Sequence, residues 1–281
     1  MFSSLENMCE AWDKAGGHGS KEDRINRNIL WTKYYTYIAE RQKGSEACFD
    51  LNAMEVVEYL SNSGWLKDAR SVLDIGAGTG VYSLAFAKEG LDITAMDMDE
   101  TSLSVLKTRA VELGVSDIIC ENAMWENYES KGKFSMTFSS MCPAICNYNE
   151  LIKMEEMTEN VCCLHAVTRG SYDLHRRKLM ELLGVQPKGG MTTEAIWYYN
   201  ILYMMNRKPE VKYFARHYEY KTPIEDVIAQ NEVYFEIFGI PREKSSHILQ
   251  EYFEEKVENG LVYDESHINT ALICWRPDLQ K

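Results

Sequence analysis

In the stretch VLDIGAGTGVYS, Gly76, Gly78 and Gly80 stand at alternate positions, and Asp74 lies two residues before the first of them. Glycine at such a rhythm lets the chain turn tightly after a strand and lets a ligand approach the backbone with no Cβ in the way. Asp97 closes the next apolar run, seventeen residues after Gly80, where its carboxylate can accept hydrogen bonds from both hydroxyls of a ribose. The wider G-x-G-x-x-G spacing of a pyrophosphate-binding turn is absent, and so is the Gly-Lys-Ser/Thr of a P-loop.

A second group of reactive types sits in SSMCPAIC, where Ser140, Cys142 and Cys146 surround Pro143. Proline suits the first position of a helix, and a thiol at a helix N-terminus has a lowered pKa and more thiolate character. Two readings follow: a two-cysteine lip for a soft acceptor, or a turn in which Met141, Cys142 and Ile145 pack. Cys162 and Cys163 do not complete a four-cysteine site with this pair. In parallel neighbouring strands they fall roughly 15 Å away at about 3.3 Å per residue, whereas zinc needs every ligand within about 2.3 Å. No metal is expected. His165, between those cysteines and Arg169, has the type and place of a general base or of a hydrogen-bonded core histidine.

The elements that must position these residues alternate. Short apolar strands are expected at 71–76, 91–97, 116–123, 133–140 and 161–168, with helices at 80–90, 100–114 and 148–160. That rhythm indicates βαβ units and a mainly parallel sheet. Residues 1–66 read as an aromatic-rich helical segment. Within it WTKYYTYIAE puts Trp31, Tyr34, Tyr35 and Ile38 on one helical face, and Tyr34 and Tyr35 are candidates for a lid over a bound cofactor. The main domain is expected over 67–281. After Gly170 two helices without a strand between them form a cap insertion at about 171–208, rich in aromatic residues. A strand at 211–220, helices at 223–239 and 242–260, and a last strand at 267–277 complete the sheet.

LDIGAGTG resembles motif I of the class I S-adenosylmethionine-dependent methyltransferases, and ITAMDMD resembles the strand that follows it in that family. The resemblance runs over residues 71 to about 168, in order and spacing. It implies a Rossmann-like α/β fold with a mainly parallel seven-stranded sheet, N-terminal helices and a helical insertion after strand five. It also implies S-adenosylmethionine as cofactor, with S-adenosylhomocysteine as product. Carried over by position, Asp74 and the backbone of Gly76, Ala77, Gly78, Thr79 and Gly80 hold the methionine part, Asp97 binds the ribose, and Met98 lies against the adenine. Asn122 and Ala123 stand where the family often has an Asp for the adenine amino group; Asn keeps a carbonyl acceptor. Ser139, at the end of the fourth strand, completes the cofactor set, while Ser140, Cys142 and His165 are the catalytic candidates. The Asn/Asp-Pro-Pro-aromatic motif of enzymes acting on exocyclic amines of bases or on glutamine is missing here.

Composition narrows the partners. The chain has 281 residues and a formal net charge of −13, which argues against gripping a phosphate backbone. Its one basic run, His175–Lys178, reads as a solvated helix face. No apolar run approaches the roughly 18 residues of a spanning helix, the eight cysteines are scattered, and a cytoplasmic, reducing setting is expected. A small-molecule acceptor and no membrane follow, and a homodimer is compatible with the sequence. An RNA or protein methyltransferase and a non-catalytic S-adenosylmethionine-binding protein are the alternatives.

Overall fold

The computed structural model describes residues 4–15, 26, 29–34, 37, 46–115, 117–185 and 194–277. Five parallel strands come first: β1 (Ser71–Ile75), β2 (Asp92–Asp97), β3 (Ile119–Asn122), β4 (Phe134–Ser140) and β5 (Thr158–Val167). Between them run α3 (Val81–Lys88), α4 (Glu100–Glu112) and α5 (Tyr148–Glu156), preceded by α1 (Leu5–Ala15) and α2 (Glu46–Asn62). The second half holds β6 (Tyr172–Asp173), α6 (Arg176–Leu182), α7 (Ala195–Met204), β7 (Glu210–Pro223), α8 (Ile224–Glu236), α9 (Arg242–Glu254), β8 (Val257–Glu258) and β9 (Leu261–Trp275).

The strand order is β3-β2-β1-β4-β5-β9-β6, with β7 and β8 also paired to β9. β1 to β5 run parallel, and β9 is antiparallel to each strand it meets. The order reverses between β1 and β4, and in such sheets ligands bind outside the carboxyl ends at the reversal. The glycine loop leaves β1 at that place, and the SSMCPAIC segment leaves β4 beside it. The Rossmann-like α/β fold expected from the sequence is present, with nine strands in place of seven. The two extra strands, β6 and β8, span two residues each, too short for any periodicity to show. The last strand begins at Leu261, six residues earlier than expected, because polar residues on a half-solvated ladder hide its alternation.

The central strands read as continuous apolar runs because both faces are covered. On one face Val72, Phe86, Phe138, Val161, Cys163 and Leu272 pack with α2, α3 and α4. On the other Leu73, Ile75, Leu164, Ile273 and Trp275 pack with α1, α5 and α7. Fully burying one such large apolar side chain is worth about 1.5–3 kcal/mol. A third cluster joins Tyr34 to α6, α8 and α9 through Leu179, Tyr234, Phe235 and Phe253.

One buried carboxylate ties the second layer together. Glu155, at the end of α5, accepts from Arg207 Nε and Nη2 (2.8 and 3.0 Å) and from Trp275 Nε1 (2.8 Å). Removing one partner of such a buried pair strands the other charge. Glu155→Ala is expected to cost about 3 kcal/mol, read as a lower urea midpoint at unchanged slope; an unchanged midpoint would contradict this account of the layer.

Candidate active site at the carboxyl ends of β1 and β4

The glycine loop is fixed from three sides. Gly76, Gly78 and Gly80 all adopt left-handed backbone, with φ of 73°, 55° and 82°, where a Cβ is strained. Space then separates their roles. A Cβ on Gly76 would fall 2.1 Å from Cys142 Sγ, and one on Gly80 would fall 2.0 Å from Leu106 Cδ1. At Gly78 an added Cβ meets nothing within 4 Å. Two of the glycines let β4 and α4 close on the loop, and the middle one faces open space.

The loop amides are spent inward. Gly76 and Ala77 donate to Met96 O at 2.8 and 3.0 Å, and Gly80 donates to Ala77 O at 3.0 Å. Gly78 donates to Asp97 Oδ2 at 2.7 Å, while Asp97 Oδ1 accepts from the Asp99 amide at 2.9 Å. Asp99 caps α4 by accepting from Ser102 N at 2.8 Å, which explains the second acid of MDMD. Arg109 Nη1 donates to Thr79 O at 3.0 Å. Beyond Asp97, its backbone carbonyl takes Asn122 Nδ2 (3.1 Å) and Ala123 N (3.0 Å). Asn122 is exposed and Met98 half-buried at this rim.

Asp74 lies beneath the loop, 2 % exposed, and accepts from Ser83 Oγ at 2.6 Å. Burial pushes its carboxyl up to about 7, against the Ser83 hydrogen bond and with the Asp97 charge adding to the rise. Burial also raises Asp97. Ser139 is buried with its hydroxyl donated to Ile75 O at 2.9 Å, so it lies inside the sheet and not on the ligand face. Tyr34 is buried in the third cluster, where its hydroxyl accepts from Arg176 Nη2 at 3.0 Å and its ring meets Tyr234. It packs there, away from the bonds that hold the glycine loop; Tyr35 lies outside the described residues.

Of the two readings of SSMCPAIC, Cys142 fits the packed turn and not the reactive lip. Residues 142–146 form turns, not a helix, so no helix N-terminus stabilises a thiolate. Burial, with the Asp97 and Asp74 charges adding, pushes its thiol up to about 12. The residue itself is half-buried, but its sulfur points inward over the Gly76 backbone, and it packs as a thiol. Tyr198 of α7 holds the same turn, donating its hydroxyl to Ile145 O at 2.7 Å. Met141 takes a left-handed φ of 46° as its amide donates to His165 O at 2.7 Å; a non-glycine residue in that region is rare and marks local strain.

His165 is also not placed as a base. It is 2 % exposed, and burial, with Arg216 adding, pushes the imidazole down to about 3. Its Nδ1 lies 2.8 Å from Tyr82 Oη and 3.2 Å from Ser140 Oγ, and its Nε2 lies 2.8 Å from Thr270 Oγ1. A neutral ring flanked by hydroxyls on both nitrogens is satisfied in either tautomer. It orients Tyr82 and Ser140 at the end of β4. Arg216 of β7 stands on the same side, bonded to Glu55 of α2 at 2.7 Å, with a buried Nε that has no partner. Asn52 of α2 donates to Tyr218 Oη at 2.6 Å, so α2 roofs this polar recess. Tyr82, Arg216 and Thr270 were missed by sequence reading. Tyr82 follows Gly80 by two residues and was open to suspicion; Arg216 and Thr270 lie on distant strands and carry no local signal.

Residues 72–161 match the family described as "Methyltransferase domain". The ubiquinone biosynthesis O-methyltransferase of Photorhabdus laumondii subsp. laumondii is 35% identical over 65 residues, 23% of this chain and 27% of that protein. The cypemycin N-terminal methyltransferase of a Streptomyces species is 29% identical over 104 residues, 36% of this chain and 38% of that one. The chain thus spans about a quarter of the length of the first relative and little more than a third of the second. Among solved structures, magnesium protoporphyrin IX methyltransferase from Synechocystis PCC 6803 with bound SAH superimposes with a TM-score of 0.44 at 14% identity, over 79% of this chain and 82% of that one.

The Asp74 carboxyl gives a pH test. Its folded value of about 7 stands above the roughly 3.9 of an unfolded aspartate. The native state therefore holds a proton that the unfolded chain has lost, and that contribution to stability disappears as pH rises through about 7. The urea midpoint is expected to fall between pH 5 and 8 in the wild type and to fall less in Asp74→Asn, whose carbonyl still accepts from Ser83. Parallel curves for the two proteins would contradict the placement of a protonated Asp74.

Proposed function

We propose that this chain, whose residues 72–161 match the methyltransferase-domain family, transfers the methyl group of S-adenosylmethionine to a small-molecule acceptor. One observation carries the reading. The amides of Gly76, Ala77, Gly78 and Gly80 are engaged within the protein, so the loop meets a ligand with acceptors and the Asp97 carboxylate. A phosphate needs free N–H donors at such a loop. An ammonium group, a sulfonium and a ribose diol need acceptors and negative charge, and the open space over Gly78 admits their close approach.

When bound, S-adenosylmethionine supplies a methyl group already activated on sulfur. Asp97 accepts the ribose hydroxyls, Met98 lies against the adenine, and Asn122 presents its free carbonyl at the rim. Asp74 lies beneath the cationic end, whose charge favours the ionised form of its carboxyl. The chain's remaining work is alignment and exclusion of water. Tyr82 and Ser140, held by a neutral His165, shape the acceptor side, and Arg216 offers it a cation. Among the described residues His165 is held neutral there and is not poised as a base, which suits an acceptor that arrives deprotonated.

The negative formal charge favours a small acceptor over a phosphate backbone, in a cytoplasmic setting. No helix among the described residues is long and apolar enough to cross a membrane. A second reading, a peptide amine as acceptor, is favoured by the Streptomyces relative, whose matched segment extends over 104 residues.

Calorimetric titration with S-adenosylhomocysteine tests the cofactor reading. The wild type is expected to bind one equivalent. Asp97→Ala is expected to bind roughly tenfold or more weakly, since losing one charged hydrogen bond is worth about 1.5–3 kcal/mol. Cys142→Ser is expected to bind as the wild type does. A folded wild type that takes up none would contradict it.

A further inference from the structure

On the sheet face opposite the His165 recess, β7 and β9 bring together two short segments that lie some fifty residues apart in sequence. They are His217-Tyr218-Glu219 and Glu265-Ser266-His267. Residues two apart on a strand share a face, and the register sets His217 directly opposite His267 and Glu219 opposite Glu265. The result is a square of two imidazoles and two carboxylates across one antiparallel pair.

The ligating atoms converge. The nearest ring nitrogens and carboxylate oxygens of His217, Glu265 and His267 all lie within 4.8 Å of one another. Glu265 Oε1 is 2.9 Å from His267 Nε2 and 3.6 Å from His217 Nε2. Glu219 Oε1 comes within 3.6 Å of the same His217 nitrogen. In a tetrahedral site with metal–ligand bonds of about 2.0–2.1 Å, donor atoms stand about 3.3 Å apart. The side chains are 45%, 23% and 34% exposed for His217, Glu265 and His267, so an ion can enter and keep water on its open side.

Neighbours hold the donors in place. Tyr172 of β6 pairs with His267 on its other side and stacks on its ring, centroids 4.5 Å apart and planes at 21°. The same tyrosine donates its hydroxyl to Glu265 Oε1 at 2.6 Å, and Tyr263 donates to Glu265 Oε2 at 3.4 Å. One phenol thus orients both a histidine and a carboxylate ligand, the kind of outer support that metal ligands carry.

We propose that His217, His267 and Glu265, with Glu219 at hand as a fourth ligand, bind one divalent first-row transition-metal ion on the β7–β9 surface. Two imidazoles and a carboxylate suit zinc and its neighbours and not the oxygen-only demands of calcium or magnesium. The site shares no residue with the glycine loop or the His165 recess, and it stands whether or not the chain transfers methyl groups.

Calorimetry with zinc chloride on chelator-stripped protein at pH 7.5 tests it, with cobalt(II) absorption as the second readout. One zinc per chain is expected. His217→Gln and His267→Gln are each expected to weaken binding by roughly tenfold or more, and Tyr172→Phe, which keeps every ligand, by about tenfold. His247→Gln, a solvent-exposed histidine on α9, is expected to leave it unchanged. Circular dichroism confirms that each variant is folded. The cobalt form is expected to lack a thiolate charge-transfer band. Absence of stoichiometric binding, wild-type affinity in both ligand-histidine variants, a comparable loss in His247→Gln, or a thiolate band would each overturn the proposal.

Discussion

The hydrogen bond from the Gly78 amide to Asp97 Oδ2, 2.7 Å long, joins the loop after β1 to the end of β2 at the point where the sheet reverses its strand order. Everything near it is arranged to permit that contact. Gly76 has no Cβ, so Cys142 can seat its sulfur against the backbone; Gly80 has none, so Leu106 can press α4 onto the loop. The amides of Gly76, Ala77, Gly78 and Gly80 are consumed within the protein, and the Asp97 carboxylate closes the loop. The proposed recognition rests on that arrangement: a loop with few amides to offer a phosphate and a carboxylate to offer hydroxyl donors.

Much of this was legible in the sequence because it is local. The glycine rhythm, Asp74 and Asp97 fall within two dozen residues, and the apolar runs that carry them are long enough to show their period. Legibility failed where tertiary context decides. Pro143 has the credentials of a helix start, yet the Tyr198 hydroxyl and the packing of Ile145 hold that segment as a turn, and burial favours the packed-thiol reading of Cys142 over the thiolate one. Ser139 has the position of a ligand contact, but the Ile75 carbonyl claims its hydroxyl. Tyr34 lies on an amphipathic helical face as expected, and the face it meets is the α6–α8–α9 cluster. The β7–β9 pair shows the same limit from the other side. His217 and His267 have no local pattern between them, and only the register of the ladder makes them neighbours.

The proposed acceptor side is built on restraint of a histidine. Burial and the nearby Arg216 keep His165 neutral, and its ring spends both nitrogens on hydroxyls from α3, β4 and β9. Three separate elements are thereby fixed around the end of β4, next to the strained backbone of Met141. Rigid placement of this kind is what a reaction with an already activated methyl group requires of its enzyme.

Hydrogen exchange read by mass spectrometry, with and without saturating S-adenosylhomocysteine, tests the central claim most directly. The account predicts slower exchange in the peptides covering Asp74–Tyr82 and Met96–Thr101, with α9 unaffected. Unchanged exchange in the glycine loop, or protection confined to some other part of the molecule, would contradict it.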